Sequence, residues 1–156
     1  VLITKGILND LEEDLTIAFS RGVGGAVEGQ AAESYLLRSF GENLLLSPSR
    51  EPSYTTLPAS GGTLKKTSTF ENQILSDQNI GQIRDFAIRI KQQMRTHVQT
   101  KSKGPFDIEL GFKNNKIWLF QIRPFVENKN ASRSEYLKSI SPDLPEGKMF
   151  NMNTVI

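Results

Sequence analysis

Phe106 to Pro124 reads FDIELGFKNNKIWLFQIRP, the most strongly patterned stretch of the chain. Phe106, Ile108, Leu110 and Phe112 alternate with Asp107, Glu109 and Gly111, the period-two rhythm of a half-buried β-strand. Lys113-Asn114-Asn115-Lys116 follows with turn chemistry, since Asn tolerates a left-handed backbone, and Ile117 to Arg123 returns as a second strand. A two-residue loop at Asn114-Asn115 would set Glu109 opposite Phe120 and Gln121 opposite Ile108, mixing polar and apolar groups on both faces. A three-residue loop, Asn114 to Lys116, pairs Glu109 with Gln121, Asp107 with Arg123 and Gly111 with Leu119. One slip of register turns every side chain over, so the three-residue loop is the expectation, with Asn115 left-handed beside a bulge. One face then collects Phe106, Ile108, Leu110, Phe112, Trp118, Phe120 and Ile122, and the other Asp107, Glu109, Gln121 and Arg123.

That polar face carries chemical information. A cross-strand ion pair accounts for Asp107 and Arg123, but not for Glu109 and Gln121 beside them. Two acid groups and an amide oxygen form a hard-oxygen set suited to Mg²⁺, which keeps several waters and shares phosphate ligands. Arg123 adds a planar fork matched to phosphate. Against metal and phosphate binding stands the simpler reading of a solvated strand face.

A second segment bears on the choice. Asp14 to Ser20 reads as a short strand and runs into Arg21-Gly22-Val23-Gly24-Gly25-Ala26-Val27-Glu28-Gly29. Closely spaced glycines let backbone N–H groups approach a phosphate, especially where a helix begins. The segment is neither a dinucleotide fingerprint nor a Walker loop, and a tight strand-to-helix turn explains it equally well.

The remaining chain narrows the options. Its 156 residues suffice for one domain, or a domain plus a tail, with a real core. The absence of Cys excludes disulfides, thiolate zinc sites, iron–sulfur clusters and Cys nucleophiles. Single His97 excludes His-rich metal sites and most His-based triads, and its place at the end of a helical stripe fits a half-buried or capping role. Nineteen basic against seventeen acidic residues leave a formal charge of +2, too small and dispersed to argue for nucleic acid or a membrane surface. No apolar run approaches the roughly 20 residues needed to span a bilayer, and no secretory signal is visible, so a cytoplasmic setting is expected. The start at Val1, directly in a strand-like run, suggests a piece of a longer protein.

Further strands are expected at Glu33 to Phe40, Glu42 to Leu46, Ser53 to Leu57 and Thr63 to Phe70, with Pro- and Gly-rich loop between 47 and 62. The clearest helix spans Asp77 to Val98. There Ile80, Ile83, Ala87, Ile90 and Met94 recur at helical spacing, Ser76 or Asp77 offers an N-cap, and Gly104-Pro105 stops the chain. A short helix at Glu135 to Ile140 lies in residues 127–156, which read as a linker or tail. The whole is an α+β chain: a mostly antiparallel sheet with one long helix.

Ser20 to Leu37 followed by Phe106 to Pro124 resembles the nucleotide-binding part of the phosphoenolpyruvate synthase and pyruvate phosphate dikinase family. The likeness rests on Gly22-Val23-Gly24-Gly25, Val27-Glu28-Gly29, Asp107-Ile108-Glu109 and Gln121-Ile122-Arg123-Pro124, with Leu75-Ser76-Asp77 and Val1-Leu2-Ile3-Thr4 also similar. It covers about residues 1–126 and implies the C-terminal part of an ATP-grasp domain, with 127–156 outside it. By resemblance, Glu109 and Gln121 ligate Mg²⁺ between the ATP phosphates. Arg123 holds the triphosphate, Asp107 supports it, and Gly22, Gly24 and Gly25 approach the nucleotide. The implied reaction passes phosphate from ATP to a histidine on a separate domain. The implied partners are ATP, an N-terminal ATP-grasp lobe and that phosphohistidine domain. Gly25 stands where the family usually has Glu. A synthase, a carbohydrate or antibiotic dikinase, and a non-catalytic nucleotide-binding or regulatory module all remain open.

Overall fold

The computed structural model describes residues 1–7, 11–24, 32–96, 103–127 and 134–140. They fall in two units, Val1–Phe125 and Val126–Ile156. In chain order the first holds strands β1 (Leu2–Ile3), β2 (Leu15–Phe19), β3 (Glu33–Leu37), β4 (Leu44–Ser47), β5 (Ser53–Thr56) and β6 (Leu64–Thr67). Helix α1 (Asp77–Thr96) and strands β7 (Phe106–Lys113) and β8 (Lys116–Pro124) complete it. The second unit contains the short helix α2 (Glu135–Ile140). The class is α+β with an antiparallel sheet and one long helix, as the periodicities indicate.

Six strands form one sheet in the order β4-β3-β2-β1-β7-β8, while β5 and β6 form a separate hairpin. Every neighbouring pair is antiparallel. The sheet's core face is built by alternation: Leu2, Ile17, Tyr35, Phe106, Ile108 and Leu110 are all buried. Against this face α1 packs Ile80, Ile83, Ala87 and Ile90, the stripe that recurs at three and four residues. Removing any one of these side chains from water contributes on the order of 1.5–3 kcal/mol for a large aliphatic group.

Polar tethers fix how α1 lies. Ser76 caps it reciprocally: its Oγ accepts from Asn79 N–H at 3.3 Å, and Asn79 Oδ1 accepts from Ser76 N–H at 3.2 Å. Arg84 donates to Arg38 O at 2.8 Å and to Asn43 Oδ1 at 2.7 Å, joining mid-helix to the β3–β4 connection. Lys91 Nζ donates to Glu12 O. Glu33, buried on β3, accepts from Tyr35 Oη–H at 2.8 Å and from Ile74 N–H at 2.7 Å, which holds the approach to α1 against the sheet. No helix among the described residues is long and apolar enough to cross a membrane.

The β7–β8 hairpin departs from the expected register in one respect. Asp107 pairs with Arg123 and Glu109 with Gln121, as derived from the sequence. Gly111, however, faces Trp118 rather than Leu119, and Lys113 faces Lys116. The loop therefore has two residues, Asn114 and Asn115, with φ of 51° and 59°. Positive φ at both positions is the primed turn whose twist suits a hairpin. The ladder shifts between Glu109 and Leu110, leaving Phe120 as the extra residue of a bulge on β8. The bulge reconciles a tight turn with the Asp107–Arg123 register, an option the choice between two unbroken ladders did not contain.

The bulge also redistributes the apolar face. Trp118, opposite Gly111, shares the face of Glu109 rather than that of Leu110. Phe120 turns its ring over Gly111, where an added Cβ would come within 3.1 Å of it. Ile122 keeps the core side, as expected, and Ile117 joins it there; both pack against the buried cluster.

Candidate functional site

The polar face of β7 and β8 assembles the four side chains named from the hairpin pattern. Asp107 and Arg123 are cross-strand partners, and Arg123 donates from Nε at 2.8 Å and from Nη2 at 2.7 Å. Both contacts end on Asp107 Oδ2. The other oxygen, Oδ1, is buried with no hydrogen-bond partner. This hydrogen bond and the adjacent negative charge raise the pKa of Arg123 above its ordinary value, so the guanidinium is a permanent cation here.

Glu109 and Gln121 form the next pair along the same face. Glu109 is half-buried and Gln121 exposed, and neither side chain is hydrogen-bonded to another described residue. Their oxygens are thus open to a ligand. The Arg123 guanidinium senses the negative charge of Asp107 first and of Glu109 as well. Two carboxylates acting on a neighbouring cation, with one buried oxygen lacking a partner, suit a site for a hard cation. Among the described residues no cluster of three His, Cys, Asp or Glu exists, so a divalent ion would take Glu109, Gln121, and otherwise waters or phosphate oxygens. That sparse set matches Mg²⁺, which is commonly held by one or two protein ligands plus substrate phosphates.

The glycine segment is held differently. Gly22 and Gly24 have φ of 77° and 92°. Val23 N–H donates to Thr55 O at 2.8 Å, and Arg21 Nη2 donates to Asn72 O at 2.9 Å. Gly22 is required at its position, because a Cβ there would stand 2.1 Å from Thr55 O. The segment leaves β2 pinned to β5, a connection that no sequence pattern signalled. Gly25, the Val27-Glu28-Gly29 triplet and His97 lie outside the described residues.

Two aromatic side chains join the polar face unannounced by the sequence reading. Trp118 and Phe120 are 56% and 70% exposed, on the side of Glu109 and Gln121. The signal for them was available: a glycine inside a strand pattern often marks a bulge or a close approach. Asn115 has a further part in the fold, as its side chain accepts from Asn79 and donates to Gln78 at 3.0 Å. These bonds fasten the hairpin tip to the first turn of α1. Comparison of the chain with models of known families and with curated proteins gave no match.

Proposed function

We propose that this chain is the Mg·ATP-binding C-terminal part of an ATP-grasp domain, from a dikinase-type enzyme like phosphoenolpyruvate synthase. The observation that carries the reading is the pairing of Asp107 with Arg123 and of Glu109 with Gln121 on one accessible sheet face. When bound, Mg·ATP supplies the phosphoryl group, destined for a histidine on another domain and then for pyruvate or a similar acceptor. Glu109 and Gln121 offer oxygen ligands to the metal. Arg123 faces the phosphates as a fixed positive charge, and Asp107 holds its guanidinium in place before any ligand arrives. Such pre-set charge stabilises the transferring group without reorganisation at the moment of reaction. In these terms Glu109 and Gln121 bind, Arg123 binds and stabilises, and Asp107 orients. By the resemblance, the role of Gly22, Gly24 and Gly25 would be to bring backbone toward the nucleotide. The setting consistent with this role is cytoplasmic.

The test is calorimetric titration of ATP into the chain with and without Mg²⁺. Mg²⁺-dependent binding that disappears in Glu109→Ala and in Arg123→Ala supports the reading. Equal binding in both variants, or none in the wild type, counts against it. A second reading is favoured by the exposed rings of Trp118 and Phe120. Under it the same face is a contact surface of a non-catalytic nucleotide-binding or regulatory module, and ATP binding is indifferent to Glu109.

A further inference from the structure

Among the described residues the sheet ends at β8, beside a flank of α1. β8 pairs with β7 alone, and among the described residues no backbone hydrogen bond leaves its outer edge. Between that edge and the flank of α1 runs an open groove of about 520 Å³. Its walls are apolar at the base, with Phe86 and Ile90 on the helix and Ile117 and Leu119 on the strand. Its rim carries Arg89 and Lys116 against a single acid, Asp85. The hairpin tip, tied by Asn115 to Asn79 and Gln78, closes one end. The bulge at Phe120 and the imino acid Pro124 limit the pairing edge at the other.

We propose that this groove receives an extended segment of a separate polypeptide, which adds a short strand alongside residues 116–119. A strand laid on a sheet edge next to a helix satisfies the free N–H and C=O groups, and its alternate side chains drop into the groove. Edge strands left open in this manner are usually blunted along their length by charge or proline. Here those devices stand at Lys116, Arg123 and Pro124, and none lies on Ile117, Trp118 and Leu119 between them, of which Trp118 and Leu119 are exposed. β8 bears two cations and no acid, and the groove rim is likewise cationic on balance, so the occupant is alternately apolar with an acidic residue beside Arg89 and Lys116. A second copy of this chain fits poorly, because its own β8 would bring further cations and no carboxylate to that rim.

The probe is a fluorescein-labelled hexapeptide, Ser-Ile-Thr-Val-Glu-Asp, titrated with the chain and followed by anisotropy, with amide hydrogen exchange reporting on residues 116–119. Saturable binding below about 1 mM, with slowed exchange at those amides, is expected. Affinity should fall by about tenfold or more when the two acids become Lys, when alternate peptide amides are N-methylated, or in the Leu119→Lys and Arg89→Glu variants. Leu119 and Arg89 are exposed, so both variants keep the fold, which circular dichroism checks. Binding should persist in Glu109→Ala, separating this surface from the nucleotide site. The proposal is overturned by absence of saturable binding, by equal affinity for the N-methylated peptide, or by a concentration-dependent dimer that protects β8 without any peptide.

Discussion

Deleting Phe120 should leave the hairpin's pairing intact, because Phe120 is the residue the ladder skips. Without it a two-residue turn at Asn114-Asn115 leads directly to Leu110 opposite Leu119, Glu109 opposite Gln121 and Asp107 opposite Arg123. The gain is one regular ladder hydrogen bond in place of a disrupted one, about 0.5–1.5 kcal/mol. The loss is the buried part of the ring. Phe120 is 70% exposed. An aromatic side chain offers about 200 Å², so about 60 Å² returns to water, or ~1.5 kcal/mol at about 25 cal/mol per Å². The two effects nearly cancel, and stability should change by no more than about 1 kcal/mol in a urea titration. Deleting Gly111 instead removes a residue from the opposite strand and doubles the mismatch, so it should be far more costly. Cross-strand Hα contacts in NMR spectra report the register directly. If the Phe120 deletion loses the Asp107–Arg123 contact while the chain stays folded, the bulge argument is wrong.

Other perturbations test the scaffold around the site. Tyr35→Phe removes the hydroxyl that donates to buried Glu33 and should cost about 1–2 kcal/mol in denaturant unfolding, with Glu33→Ala costing more because Ile74 N–H also loses its acceptor. Burial and that hydrogen bond raise the Tyr35 pKa above its ordinary 10, so the hydroxyl's stabilising effect is complete below pH 10 and declines as pH rises beyond it; Tyr35→Phe should lack this alkaline loss. Lys91 has the opposite sign. Burial lowers its pKa, outweighing the attraction of Glu12 and Glu13, so the folded state sheds its proton before the unfolded one. Wild type should therefore gain stability relative to Lys91→Met as pH rises from that lowered pKa toward 10.5, and the difference should be flat below the window. Gly22→Ala should destabilise by about 1–3 kcal/mol and expose Val23 N–H to exchange. Gly61→Ala, with similar φ but open space around it, should cost less.

How much of this was legible in the sequence depended on which interactions are local. Period-two alternation located β7 and period-3.6 spacing located α1, because each pattern reports burial on one face; the turn chemistry of Lys113 to Lys116 located β8 as the returning strand. The Asp107–Arg123 and Glu109–Gln121 pairs form as expected, but through a two-residue turn and a bulge, with Trp118 and Phe120 on the polar face instead of the apolar one. The bulge was not legible, since an unbroken ladder was assumed on both sides of the choice. Asn114-Asn115 did carry the primed-turn signal, and Gly111 the close-approach signal, but the face-matching argument outweighed them. The attachment of Val23 to Thr55, and of Glu33 to Ile74, joins positions far apart in sequence through groups with no periodicity. Nothing local encodes such contacts. The open edge of β8 was hidden for a related reason: strand order across a sheet is a tertiary fact, and the hairpin pattern reads the same whether or not a further strand pairs with β8.

The central claim is that Glu109 and Gln121 hold the metal of a bound nucleotide. Substituting Mn²⁺ for Mg²⁺ makes that claim visible residue by residue, since the paramagnetic ion broadens nearby amide signals. With ATP present, the signals of Glu109 and Gln121 should broaden first. The effect should vanish in Glu109→Ala and require ATP, as expected of a metal held by only one or two protein ligands plus phosphate oxygens. Broadening centred elsewhere in the chain, or unchanged in Glu109→Ala, would contradict the account.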